Sequence, residues 1–310
     1  MAPSAPGLPS TPQTITCTDE ERQVGKWSRA NLQRALEAFH RDGLIVMENI
    51  VDPVELLRLK EDMARTSNEI KDTKTHPTQY NHGVMSNFLQ APPLSTPELL
   101  FPSVYQNAFV KQIVEKYLGG GINLSFITAN TAIANTKQRQ PVHKDCSFVH
   151  PQAPFIAISN FLLDDFTPSN GSTEFWLGSH ATTNPAEQMW RSKESIVPTC
   201  DIIPAVLEER RKTRPPAQVT VPFGSVLLRD PRTWHAGMPN PSDKDRIMIA
   251  VAYSAEWYPQ DARFKLWGQG EPMELAYAPD PARPGGWTAL GALSPGDKVV
   301  NPAFNEFAKG

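Results

Sequence analysis

The sequence predicts a mainly β chain with α decoration: a double-stranded β-helix (jelly roll, cupin-like) core flanked by N-terminal helices. Three observations carry this prediction. Before Gly121, apolar residues recur at helical spacing in several stretches. After it, short strand-like runs follow one another between turns such as Pro168-Ser169-Asn170-Gly171 and Pro222-Phe223-Gly224. The 30 prolines fit many ordered loops better than long helices. Many short strands with Gly/Pro turns make a double-sheet jelly roll.

Taken in order, residues 1–25 read as a flexible arm, small and Pro-rich at its start. Leu32, Ala35, Leu36 and Phe39 then mark an amphipathic helix over 31–40, broken by Asp42-Gly43. Leu44-Ile45-Val46-Met47 is a strand. Asp52-Pro53-Val54-Glu55 opens a second helix, with an acceptor at the cap and Pro at the first helical position. Residues 73–83 lack apolar periodicity and read as a loop. Residues 103–118 read as one helix, stopped by Gly119-Gly120-Gly121. Strands are expected over 122–129, 155–163, 173–177, 218–221, 225–228 and 246–254. An insert over 184–214 is helical in parts, with Glu208 to Arg211 as a solvated face. The whole reads as one domain over 26–310, comprising a helical layer over 26–121, the β core over 122–258 and an irregular tail over 259–310.

Composition narrows the function classes. A net charge of −3 implies no broad basic field, so neither nucleic acid nor an anionic membrane is the expected partner. Cys17, Cys146 and Cys200 are odd in number and widely spaced, which argues against a disulfide framework and suits a reducing compartment. The N-terminus has no apolar signal core, and no apolar run approaches a membrane span. A soluble cytoplasmic protein is expected, and the last residues, Phe307 to Gly310, carry no peroxisomal address.

The chemistry sits in His143-Lys144-Asp145 and His235. On an extended strand His143 and Asp145 project to one side and Lys144 to the other. A distant second histidine completes one triangular face of an octahedral metal. Two imidazoles and one carboxylate with open positions suit non-haem Fe(II). Arg246, at the head of the apolar run Ile247 to Val251, is a guanidinium entering a buried strand, where it needs an anionic partner. Read alone, H-x-D is a chance pattern in a chain with seven histidines, and Arg246 a strand-end charge facing water.

Their order and surroundings change that reading. Phe39-His40-Arg41-Asp42-Gly43, Gln140 through Asp145, Asn170-Gly171-Ser172-Thr173 leading to Gly178-Ser179-His180, and Trp234-His235-Ala236-Gly237 through Arg246 together resemble the phytanoyl-CoA dioxygenase family of Fe(II)/2-oxoglutarate oxygenases. The closer likeness is to its biosynthetic, natural-product-tailoring branch, and it spans residues 30–258. The resemblance implies His143, Asp145 and His235 as iron ligands. It implies Arg246, Gln140, Thr173 and Asn81 around 2-oxoglutarate. It also implies Phe148 as a wall of the substrate pocket, with the loop residues Tyr80, His82 and Met85 against the substrate. Gln140 and Thr173 equally suit strand-end hydrogen bonding, Phe148 core filling, and Tyr80, His82 and Met85 simple packing. Asn170-Gly171 reads as a hairpin turn rather than a contact, and His180 as structural.

The resemblance implies Fe(II), 2-oxoglutarate and O2 as cofactor and co-substrates. The expected reaction is hydroxylation, desaturation or a related C–H oxidation of a small-molecule natural-product intermediate, with release of succinate and CO2. Asp145 argues against halogenation, which needs that ligand position open. A homodimer is implied by the same analogy. Three other readings stay open: a non-catalytic jelly-roll ligand-binding module, an acyl-CoA hydroxylase of the same family, and a zinc hydrolase.

Overall fold

The computed structural model describes residues 8–72, 86–94, 96–148, 150–195 and 197–258, with the backbone of five further short strands at Lys265–Trp267, Pro272–Glu274, Ala276–Pro279, Trp287–Leu290 and Lys298–Val300. Tyr80, Asn81, His82 and Met85, and the loop expected over 73–83, lie outside the described residues.

Order begins inside the stretch that reads as an arm. Strand β1 (Gln13–Thr16) runs parallel to β2 (Leu44–Glu48), with Ile15 beside Met47. Helix α1 (Asp19–Val24) starts in a capping box. Thr18 Oγ1 accepts from Glu21 N–H at 3.2 Å, and the Glu21 carboxylate accepts from Thr18 N–H at 3.0 Å. Glu21 also accepts from Ser28 N–H at 2.7 Å, which ties α1 to the head of α2 (Arg29–Asp42). Helix α2 outruns its expected span because Ser28 Oγ caps Asn31 N–H at 3.2 Å. It ends at Gly43, whose φ of 69° is left-handed.

Helix α3 (Pro53–Asp72) starts as expected, with Asp52 Oδ1 accepting from Val54 N–H at 2.8 Å. The single helix expected over 103–118 is two, α4 (Pro102–Tyr105) and α5 (Ala108–Leu118). Asn107 divides them. Its Oδ1 accepts from Phe109 and Val110 N–H, both at 3.0 Å, while Nδ2 donates to Ile50 and Ser103 carbonyls, both at 2.7 Å. A side chain that satisfies four backbone groups out of helical register outcompetes continuation.

The remaining elements are β3 (Asn87–Gln90), β4 (Ile122–Ala132), β5 (Ile156–Leu162), β6 (Glu174–Trp176), α6 (Pro204–Thr213), β7 (Ala217–Gln218), β8 (Val226–Arg229), β9 (Trp234–Ala236) and β10 (Arg246–Ala255). They form a seven-stranded sheet, β1-β2-β8-β5-β10-β4-β3, antiparallel except for β1 with β2, and a three-stranded sheet, β7-β6-β9. This is the mostly-β, two-sheet jelly-roll class with flanking helices. Among the described residues no helix is long and apolar enough to cross a membrane.

Strand alternation divides the large sheet into two faces. Along β10, Ile247, Ile249 and Val251 join the main core with Phe39, Leu59 and Ile113 of the helices. Arg246, Met248 and Ala250 point the other way and line a cavity. Truncating a core member of this kind to alanine costs about 2–5 kcal/mol. The face expected to be solvated over 208–211 is so only in its acids. Glu208 and Glu209 are exposed. The Arg210 guanidinium lies 5.5 Å from the centre of the Trp234 ring, and that of Arg211 lies 4.7 Å from that of Trp176. These contacts dock α6 behind the small sheet.

Candidate metal centre

His235 lies in β9, and His143 extends the small sheet beside it. His143 N–H donates to His235 O at 2.9 Å and His235 N–H to His143 O at 2.8 Å. This antiparallel bridge sets the two imidazoles side by side, with ring centres 4.3 Å apart. Asp145 N–H donates to Pro231 O at 2.8 Å, holding the chain extended past His143. His143 and Asp145 therefore share a side. Asp145 Oδ1 lies 3.8 Å from His143 Nε2 and 3.7 Å from His235 Nε2. The three ligand atoms fall within 4.8 Å of one another.

The ring tautomers follow from the neighbours. His143 Nδ1 lies 2.8 Å from Pro141 O and His235 Nδ1 lies 3.0 Å from Thr233 O. A carbonyl only accepts, so each Nδ1 carries the proton and each Nε2 presents its lone pair towards Asp145. That is the arrangement of a metal-ligating histidine oriented from behind.

The charge state is set in advance. Burial, helped by His235 close by and opposed by Asp145, pushes His143 down to about 3. Burial also works against the Asp145 carboxylate, but Arg229 and then the two imidazoles outweigh it and hold the group well below the usual carboxylate range. Both groups are deprotonated at neutral pH, as a metal requires. The sign for stability follows. Below pH 6.5 the unfolded chain takes up a proton at His143 that the folded chain refuses down to about 3. Stability of the metal-free protein is thus expected to fall with acid by about 1.4 kcal/mol per pH unit from this residue alone. Thermal melts across that window test it, and His143→Gln should flatten the slope.

Arg246 heads β10 and is buried. Its Nε donates to Asn170 O at 3.2 Å and Nη2 to Gly171 O at 3.0 Å, over the Phe166 ring at 4.4 Å. Asn170-Gly171 is therefore a contact as well as a turn, made through carbonyls that no side-chain pattern reveals. Nη1 has no hydrogen-bond partner among the described residues. Burial pulls the guanidinium down to about 10, with only Asp164 opposing. Gln140 is similar. Its Oε1 accepts from Gly237 N–H at 2.8 Å, while its Nε2 is buried without a hydrogen-bond partner among the described residues. A Cβ at Gly237 would sit 2.5 Å from that Oε1, so any larger residue there would displace the Gln140 amide.

These groups converge on one cavity of about 570 Å³, counted with its open mouth, lying between the two sheets. His143, Asp145, His235, Gln140, Thr173 and Arg246 all line it. Phe148 does not. It packs edge-on to Phe155 at 6.1 Å, outside the cavity lining. Past Asp145 the chain leaves the extended pairing that gives residue spacing a direction. Leu89, Phe126 and Met248 supply the apolar wall instead. Lys144 points away from the cavity, as the alternation requires. Its buried Nζ donates to His150 Nε2 at 3.0 Å and Thr183 Oγ1 at 3.1 Å. His180 is structural, its Nε2 donating to His40 O at 3.1 Å.

Sequence reasoning missed Arg229, whose Nη1 lies 2.5 Å from Asp145 Oδ2. The available signal was a charge ending the apolar run Val226-Leu227-Leu228. Two neutral imidazoles and one carboxylate suit Fe(II). The unpartnered Arg246 Nη1 and Gln140 Nε2 suit a small carboxylic acid beside it.

The model of the phytanoyl-CoA dioxygenase (PhyH) family matches residues 39–248. Among solved structures, AviO1 from Streptomyces viridochromogenes Tue57 is 20% identical with a TM-score of 0.54, covering 76% of this chain and 99% of that one. EctD from S. alaskensis, solved with 2-oxoglutarate and 5-hydroxyectoine, is 18% identical with a TM-score of 0.55, covering 78% of this chain and 81% of that one. The epimerase SnoN, in complex with Fe3+, alpha ketoglutarate and nogalamycin RO, is 16% identical with a TM-score of 0.50, covering 73% and 84%. At these identities the likeness to the solved structures is one of fold.

Proposed function

The chain belongs to the phytanoyl-CoA dioxygenase family and is a 2-oxoglutarate-dependent non-haem iron oxygenase, and from that premise we propose that it oxidises a C–H bond of a free small molecule of the natural-product type. His143 Nε2, His235 Nε2 and Asp145 Oδ1 would hold Fe(II), and Arg246 with Gln140 and Thr173 would hold 2-oxoglutarate. Bound iron supplies the oxidising chemistry, using O2 and converting the co-substrate to succinate and CO2. The protein's share is to orient both partners and to exclude water between the sheets.

One observation carries the choice of a free substrate over an acyl-CoA. The cavity lining holds two cations, Arg229 and Arg246. Arg229 is already paired with Asp145, and Arg246 is committed to the co-substrate. Among the described residues of the lining no cation is left for the phosphates of a CoA carrier. The apolar wall of Leu89, Phe126 and Met248, with Asn130 and Thr128 as polar handles, fits a compact molecule of mixed polarity. Two proteins of like fold were solved with 5-hydroxyectoine and with nogalamycin RO.

The test is succinate release under Fe(II), 2-oxoglutarate and O2 against a panel of free metabolites and acyl-CoA thioesters. Stimulation by a free metabolite, lost in His143→Ala and Asp145→Ala, is expected. Stimulation by thioesters alone would reverse the substrate assignment. Product formation that persists without oxygen would instead favour a hydrolase.

A further inference from the structure

The two oxygens of Asp145 face different groups. Its Oδ1 faces the two imidazole Nε2 atoms at 3.8 and 3.7 Å. Its Oδ2 faces the other way, 2.5 Å from Arg229 Nη1. Arg229 belongs to β8 of the large sheet, so this ion pair spans the cavity from the sheet opposite the histidines. The guanidinium is itself pinned, since its Nε donates to Asn160 Oδ1 at 3.2 Å. Asn160 lies on β5, the neighbour of β8 in the same sheet. Both side chains are buried and both line the cavity.

A carboxylate can take a metal through one oxygen or two. Two-oxygen ligation by Asp145 would fill a coordination position that a chelating co-substrate or O2 needs. We propose that Arg229, anchored by Asn160, is a positioning residue that occupies Asp145 Oδ2, restricts Asp145 to one-oxygen ligation and so keeps a coordination position open. The inference rests on the iron-centre reading above.

The experiment uses the full metal-stripped chain and Co(II) as an optical probe for Fe(II), titrated anaerobically with and without 2-oxoglutarate. The parent is expected to bind one equivalent and to change its visible spectrum when 2-oxoglutarate is added. Arg229→Gln should bind Co(II) at least as tightly as the parent, because the freed Oδ2 becomes a second donor and a cation leaves the site. Its Co(II) spectrum should differ from the parent's before 2-oxoglutarate is added and respond less afterwards. Arg229→Lys, which restores a cation beside Oδ2, should return the spectrum part of the way to the parent's. If Arg229→Gln does not fold, Asn160→Ala takes its place. It keeps the charge but frees its anchor, and should shift the spectrum in the same direction.

A parental Co(II) spectrum and a parental response to 2-oxoglutarate in folded Arg229→Gln, or in folded Asn160→Ala, would overturn the inference while leaving the iron centre intact. A parent that binds no stoichiometric metal, or a His235→Ala that binds as well as the parent, would instead remove the centre itself.

Discussion

Replacing Arg246 with methionine should raise the 2-oxoglutarate concentration for half-maximal succinate release by about 100-fold or more, yet leave the fold as stable as before or more so. The two signs come from one observation. Arg246 is buried with Nη1 unpartnered, its other donors meet only the Asn170 and Gly171 carbonyls, and burial pulls its pKa down to about 10. A buried guanidinium with no carboxylate in hydrogen-bond contact among the described residues is costly, and an apolar side chain of similar volume relieves that cost. The cation therefore stands in a place that is unfavourable until an anion arrives. Losing one partner of a buried charge pair costs about 2–5 kcal/mol of binding, and each 1.4 kcal/mol is about tenfold. Metal affinity should stay near the parental value, because Arg246 touches none of the three ligands. Co-substrate titrations, Co(II) titrations and thermal melts on Arg246→Met separate these effects. A lower melting temperature with unchanged 2-oxoglutarate dependence would mean that Arg246 serves the fold and not the co-substrate.

The site was legible where chemistry constrains residue type and spacing together. His143 and Asp145 had to share a side because an extended chain alternates, and the bridge with His235 bears that geometry out. Arg246 was legible because a charge opening an apolar strand needs a reason. What escaped were features that depend on a partner far away in the chain. Nothing near Gln13 to Thr16 says that β2 lies alongside, and a Pro-rich start looks like an arm until Glu21 is seen gathering three N–H groups from Thr18, Ser28 and Asn31. Arg229 carries the same kind of signal as Arg246, but its meaning depends on Asn160 and Asp145, which come from two other segments. Phe148 came from the family likeness, which fixes a position in the sequence and not the direction of its side chain; here the ring packs on Phe155.

The loop between β8 and β9 offers the second large effect. Asp230 is fully buried. It accepts from Arg232 Nε at 2.8 Å, Arg232 Nη2 at 2.7 Å and Tyr117 O–H at 2.8 Å. Arg232 is buried too and reaches the carbonyl of Gln152. Asp230→Ala would leave this cation unpaired inside the protein, a loss of about 3–5 kcal/mol, against a total stability of about 5–15 kcal/mol for a typical protein. The melting temperature should fall by roughly 10 °C. Asp230→Ala/Arg232→Met removes the whole pair and should recover much of the loss, because the penalty belongs to the stranded charge and not to a missing attraction. The consequence reaches the metal through one residue. Thr233 N–H donates to Asp230 O at 3.0 Å, and Thr233 O fixes His235 Nδ1 at 3.0 Å. If Asp230 sets that turn, Asp230→Ala should also weaken metal binding, and the double variant should restore stability more completely than metal affinity. Equal recovery of both would mean that the buried pair only supports the fold and that the turn holds His235 without it.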